Sequence, residues 1–393
     1  MRPSVNDLTV SREPLWHYGS QEQMIRGLRD HRPLDLNAEV WRRANPEGSH
    51  EQWQRAARDC LMAGLHYDPG PLDLKSETLS REGRDGFVLE RVAFNTTPWI
   101  RVNGYFLLPT GVKHPVPGLV VFHAWGGPLL FGKERIVNSG RDHPVLVEYR
   151  KSAGGKYLAE EFARAGYAVV VIDAFHFGER VPMGTGRVPE NLDPYALSEK
   201  QFDAINRRAV NLLNLGVREL NWAGSTWMGL NYWDDSRCVD YLVSRPEVDP
   251  ERIGCTGCSG GGWRTLFLAA LDMRIRASVG VCWTTTGDYQ QIYNLAGAIG
   301  TFCLLPGVWD RLDVPDLTIA AAPGASMLIS PTDDPLFPPE GQDEAARQIR
   351  EGYEWAGCPE RFRFFAPDKT HCYDPEMQAE AIGWFDRHLK RET

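Results

Sequence analysis

The chain has 393 residues, 42% of them apolar, with 13 Trp, 13 Tyr and 16 Phe and a formal net charge of −9. That apolar and aromatic mass suffices for a sizeable core and speaks against a disordered or fibrous chain. Mild acidity without a basic run speaks against nucleic acid or an anionic membrane surface as the main partner, and solubility is its plain reading.

The first residues, Met1-Arg2-Pro3-Ser4-Val5-Asn6-Asp7, show no apolar core of a signal peptide, and no apolar run reaches the length of a bilayer span. A cytoplasmic chain with reduced thiols is expected. Residues 1–72 read as a helical extension. Gln21 to Leu28 is one helix, and Glu51 to Leu65 is another, with Trp53, Ala57, Cys60, Leu61 and Leu65 at helical spacing. Pro69-Gly70-Pro71 ends the segment. It bears no recognisable chemistry and is expected to pack on the main domain or to join copies of the chain into a homo-oligomer.

Residues 73–393 read as one catalytic domain. Gly86 to Phe94 and Ile100 to Leu108 alternate apolar with polar or small residues, as antiparallel strands do. Pro117 to His123 and Tyr167 to Asp173 are continuous apolar runs, as in parallel strands buried on both faces. An amphipathic helix, Lys156 to Ala165, lies between them. A helix over Asp234 to Ser244 and a strand over Arg252 to Thr256 follow. Further strands are expected at Ile275 to Val281, Ala325 to Ser330 and Arg361 to Phe365, and helices at Asp343 to Ala356 and Pro375 to Leu389. This alternation predicts an α/β fold: a mostly parallel central sheet with helices on both faces and ligands at the strand C-terminal edge.

The stretch with the sharpest chemistry is Gly257-Cys258-Ser259-Gly260-Gly261, between that strand and the apolar helix Trp263 to Ala270. G-x-S-x-G in strand–turn–helix context is a nucleophile elbow. The serine sits on a tight turn, glycines let backbone and helix approach, and the helix N-terminus faces developing negative charge. Cys255 and Cys258 form one C-x-x-C, but Cys255 falls in a buried strand and Cys258 in the elbow. No metal or redox pair is therefore read there.

A serine needs a base, and the base needs an orienting acid. After the strand at 325–330 stands Thr332-Asp333-Asp334-Pro335-Leu336-Phe337-Pro338, and before the last helix stands Thr370-His371-Cys372. His371 is taken as the base. Asp334 is taken as the acid because Asp-Pro-x-x-Pro suits the acid turn, with Asp333 as its competitor. The oxyanion hole needs two N–H donors. Gly260 supplies one. Trp125 supplies the other through its backbone, from the loop His123-Ala124-Trp125-Gly126-Gly127, in which His123 is read as structural.

Together, elbow, loop, acid turn and His371 resemble the α/β-hydrolase superfamily. More narrowly they resemble its dienelactone hydrolase-like and acetyl xylan esterase-like branch. Gly132-Lys133-Glu134-Arg135, Asp173 to Arg180 and Trp233 to Asp249 support the resemblance, which covers about residues 85–393. It implies an α/β-hydrolase fold with the triad Ser259, Asp334 and His371. Dienelactone hydrolases carry Cys in the elbow. Here Ser259 holds that place and Cys258 lies one position early, with its thiol expected to face elsewhere. The departure favours ester cleavage or deacetylation.

Pocket walls are expected from insertions at about 182–232 and 284–310, with His176, Trp227, Trp283 and Tyr289 as lining residues. The reading is a serine hydrolase that cleaves a small-molecule carboxylic ester, of acetyl or aryl/sugar type, through an acyl-enzyme, with no metal or organic cofactor. A peptidase or amidase, a lyase or transferase, and a non-catalytic small-ligand binder are the alternatives.

Overall fold

The computed structural model describes residues 19–182, 192–289 and 301–390. Its strands are β1 (Glu77–Arg84), β2 (Phe87–Asn95), β3 (Arg101–Pro109), β4 (Val116–Phe122), β5 (Ala168–Ile172), β6 (Val248–Cys258), β7 (Ile275–Val281), β8 (Ala325–Ile329) and β9 (Phe362–Phe365). They form one nine-stranded sheet in the order β1-β2-β3-β5-β4-β6-β7-β8-β9. Pairing is antiparallel from β1 through β3 to β5 and parallel from β5 across to β9. The expected α/β-hydrolase architecture is met.

The helices are α1 (Glu22–Asp30), α2 (Ala38–Ala44), α3 (His50–Leu65), α4 (Pro144–Arg150), α5 (Leu158–Arg164), α6 (Glu199–Trp222), α7 (Trp227–Ser244), α8 (Gly260–Leu271), α9 (Val314–Ala320), α10 (Pro339–Trp355) and α11 (Pro375–Leu389). Successive strand side chains point to opposite faces, so one apolar run feeds two cores. Val120, Phe122, Val170 and Ile172 join the cluster under α3, α7 and α8. Leu119, Val121, Val169 and Val171 join the cluster under α5 and α11. This is why β4 and β5 read as unbroken apolar stretches.

The N-terminal segment packs on the sheet domain through α3. A capping box, Ser49 with Gln52, starts this helix. Trp53, Leu61 and Leu65 belong to the first cluster. Arg58 closes the contact through the carbonyls of Ala270 at 2.7 Å and Ala320 at 2.8 Å. By contrast, α1 buries none of its residues.

Two helices differ from expectation. α7 starts at Trp227 rather than near Asp234, because Thr226 caps it and accepts from the Gly229 N–H at 2.9 Å. The aromatic run after Thr226 hides this start from a periodicity reading, since both faces of α7 are buried. The stretch expected as a pocket insertion contains α6, which buries one stripe, Phe202, Ala209, Leu213 and Val217.

Parallel pairing of β4 to β9 brings the loops after these strands to one edge. Trp125, Ser259, Asp334 and His371 all follow strand C-terminal ends there.

Candidate active site

β6 runs into Ser259, and α8 begins at Gly260. Ser259 has φ 57° and ψ −120°, a backbone state that L-residues adopt at a cost of about 1–3 kcal/mol. Hydrogen bonds hold it there: Ser259 N–H to Val281 O at 2.8 Å, and Trp263 N–H to Ser259 O at 2.9 Å. The glycines are required by space. A Cβ on Gly257 would meet the Gly261 carbonyl carbon at 2.7 Å, and one on Gly261 would meet Phe122 O at 2.8 Å.

Asp334, 3% exposed, lies in the turn after β8, where its Oδ1 accepts from the Leu336 N–H at 2.9 Å. Its Oδ2 is 2.7 Å from His371 Nδ1. Asp333 is exposed, so the pair forms with Asp334. A carboxylate only accepts, so Nδ1 carries the proton and Nε2 keeps a free lone pair. Burial pulls the imidazole below its ordinary value, but the hydrogen bond and charge of Asp334, with a contribution from Cys258, outweigh it and leave the pKa raised. Ser259 and His371 line one cavity of about 150 Å³.

The loop after β4 is anchored by two buried side chains. His123 Nε2 accepts from the Ala174 N–H at 2.9 Å, so its Nδ1–H donates to Ala124 O at 3.0 Å. Burial above all, then the Arg135 charge, keeps this imidazole neutral by driving its pKa well down. Arg135 donates from Nε to Phe131 O at 2.6 Å, from Nη1 to Ala124 O at 2.8 Å and from Nη2 to Pro128 O at 2.7 Å. One guanidinium thus ties down both ends of the loop. With two donors on the Ala124 carbonyl, the trans peptide turns the Trp125 N–H the opposite way. The Trp125 nitrogen is 2.9 Å from where a Cβ on Gly260 would stand, so the two expected oxyanion donors are neighbours.

The sequence model of an α/β-hydrolase family, described as the Abhydrolase family, matches residues 15–382. The chain belongs to the Abhydrolase family. A bacterial relative, YtaP of Bacillus subtilis (strain 168), is a hydrolase by assignment only; it is 22% identical over 323 residues, 82% of this chain and 95% of its own. Among solved structures, an assigned acetyl xylan esterase of Bacteroides fragilis NCTC 9343 is similar with a TM-score of 0.60 at 18% identity, covering 89% of this chain and 83% of its own. A glucuronoyl esterase of Solibacter usitatus gives 0.59 at 14% identity, covering 89% and 93%. At these identities the structural likeness is one of fold.

The four residues expected to line the pocket of this Abhydrolase-family chain are not on the wall of the cavity. His176 is buried at φ 73° against Gly216 of α6, and burial lowers its pKa to about 4. Trp227 donates to Phe175 O at 3.1 Å, and Trp283 packs on Trp263 at 4.9 Å between ring centres. Tyr289 lies against Gly341. The two tryptophans fill core behind the loop, where Trp125 stacks on Phe302 at 3.9 Å and meets Trp227 edge-on at 4.9 Å. The wall is built instead by Trp125, Arg135, Tyr149, Lys156 and Tyr373. Of these, Arg135 and Tyr149 escape a sequence reading, because their place depends on how the loop folds back.

Cys258 also differs from expectation. Cys258 lines the cavity beside the Abhydrolase-family serine, and its Sγ lies within 4.8 Å of a His371 ring nitrogen instead of turning away. Cys255, three positions earlier, faces the other side of the sheet, with its Sγ 3.8 Å from Thr265 O. The neighbours of Cys258 are Cys282 and His371. The Cys282 side chain beside it is the main influence on the Cys258 thiol and lowers its pKa, against burial.

Proposed function

We propose that this member of the Abhydrolase family hydrolyses carboxylic esters by serine nucleophilic catalysis. The observation that carries the reading is the 2.7 Å bond between His371 Nδ1 and Asp334 Oδ2, on the cavity that Ser259 enters from a strained elbow. As substrate seats, Ser259 Oγ closes on His371 Nε2, which takes its proton while Oγ adds to the ester carbonyl. The oxyanion accepts from the backbone N–H groups of Gly260 and Trp125. Collapse expels the alcohol, which receives the proton from Nε2. Water, deprotonated by the same nitrogen, then attacks the acyl-enzyme, and the acid leaves with Ser259 restored. These steps draw on no metal or organic cofactor.

The cavity of about 150 Å³ suits a small acyl group such as acetyl, and aromatic Trp125 and Tyr149 on its wall suit an aryl or sugar alcohol. The acetyl xylan esterase and glucuronoyl esterase likenesses of fold point the same way. The eight cysteines, all free, support a reducing, cytoplasmic setting.

Fluorophosphonate labelling with mass spectrometry tests the proposal. One adduct on Ser259 is expected, absent in Ser259→Ala and much slower in His371→Ala. A folded wild-type chain that takes no label would overturn it.

A further inference from the structure

Three soft or borderline donors meet beside Ser259. Cys258 Sγ, Cys282 Sγ and a ring nitrogen of His371 all lie within 4.8 Å of one another. Cys282 is buried, while Cys258 and His371 reach the cavity wall. Neither thiol makes or breaks a bond in the proposed ester chemistry. Sequence separates these residues widely, and β6, β7 and the loop before α11 bring them together.

We propose that Cys258, Cys282 and His371 bind one soft divalent cation, zinc or cadmium, and that the bound cation withdraws His371 from use as a base. The donor set fits. Two thiolates and an imidazole are preferred ligands of zinc and cadmium, and harder cations such as magnesium avoid them. Bonds of ~2.3 Å to sulfur and ~2.1 Å to nitrogen at a tetrahedral centre put donors roughly 3.5–3.8 Å apart. The three atoms therefore need to close by only about 1 Å from their 4.8 Å limit.

The surroundings fit as well. His371 Nδ1 is committed to Asp334, so Nε2 is the ring nitrogen with a lone pair left for a cation, and a carboxylate behind a ligating imidazole is the usual supporting arrangement. The Cys282 thiol donates to Cys372 O at 3.2 Å, a bond it gives up when the cation replaces its proton. The cation enters by the cavity that serves Ser259, and a fourth position stays open to water. Charge balances: the divalent cation replaces two thiol protons, which leave to solvent, so burial of the neutral assembly costs little. Binding is thus expected to weaken as pH falls.

The binding half stands apart from the ester reading; the inhibitory half rests on it. The test titrates the reduced, metal-free full chain with Co²⁺ and follows the sulfur-to-cobalt charge-transfer band, then with Zn²⁺ against ester turnover. One equivalent of Co²⁺ is expected, with both thiols shielded from alkylation. Cys282→Ser should weaken binding at least tenfold, and Cys255→Ser, on the other side of the sheet, should alter neither binding nor metal-free turnover. Absence of the band in wild type, or wild-type binding by Cys282→Ser, would overturn the site. Zn²⁺ should abolish turnover at the concentration that fills the site, and a chelator should restore it. Full turnover at saturating Zn²⁺ would overturn the inhibitory half. A chain with no esterase activity would still report on the site through the cobalt band.

Discussion

Arg135 Nη1 donates to Ala124 O at 2.8 Å, and that carbonyl belongs to the peptide unit that carries the Trp125 N–H. A cation on the oxygen side of an amide polarises it and strengthens the N–H on the other side. The same guanidinium holds Phe131 and Pro128, so charge and loop shape come from one side chain.

Arg135→Met should therefore lower kcat by about 10²–10³-fold with KM little changed, as expected when an oxyanion donor is misplaced. Arg135→Lys should recover only part, because a single ammonium cannot span three carbonyls set around a planar fork. Steady-state kinetics on an aryl ester decide this. A rise in KM at constant kcat would assign Arg135 to substrate binding instead.

Gly260 is limited by the loop it faces. A Cβ there would lie 2.4 Å from Trp125 Cβ. Gly260→Ala should push Trp125 away and cut turnover roughly 10²-fold, while the chain stays folded. Gly83→Ala is the control, since nothing lies within 4 Å of a Cβ at Gly83. Circular dichroism and turnover, measured side by side, separate local displacement from misfolding.

The pH dependence follows from His371. In the proposed mechanism its neutral form is the base, and Asp334 stabilises the charged form, so the pKa lies above the ordinary 6.5. Activity should be full above that raised value and fall away as pH drops through it. Measured with a chelator present, Asp334→Asn should move this acid limb downward and lower kcat by about 10³–10⁴-fold. Asp333→Asn should leave the profile where it is, because Asp333 is exposed and the bond to His371 comes from Asp334.

The elbow helix is held from behind. Arg264 on α8 pairs with Asp235 on α7 at 2.5 Å and 3.0 Å, and the two side chains are 1% and 0% exposed. Removing one partner strands a buried charge, so Asp235→Ala should cost about 3–5 kcal/mol in urea unfolding. Loss below about 1 kcal/mol would mean that water reaches Arg264 and replaces the carboxylate.

The parallel strands were legible because burial on both faces demands unbroken apolar runs, as in Leu119 to Phe122 and Val169 to Ile172. Helix α3 was legible because its buried residues repeat at helical spacing. The true start of α7 was not, since a helix buried on both sides loses its periodic signal. The lining of the cavity was read less well. Trp227 and Trp283 are large enough to form a wall, but the loop after β4 places Trp125 in front and leaves them in the core.

Residue order alone decides the local chemistry of this protein. Glycines at 257, 260 and 261 permit the turn at Ser259, and strand order brings an acid turn and a histidine to the same edge of the sheet. Tertiary packing decides what depends on distance between remote segments. It chooses Asp334 over Asp333, threads the Arg135 guanidinium under the Ala124 carbonyl, and sets Cys282 beside Cys258 and His371. The physical reason is range: backbone strain and side-chain alternation act over a few residues of chain, whereas hydrogen bonds and ligand sets need atoms within a few ångströms, and only the folded sheet brings them that close.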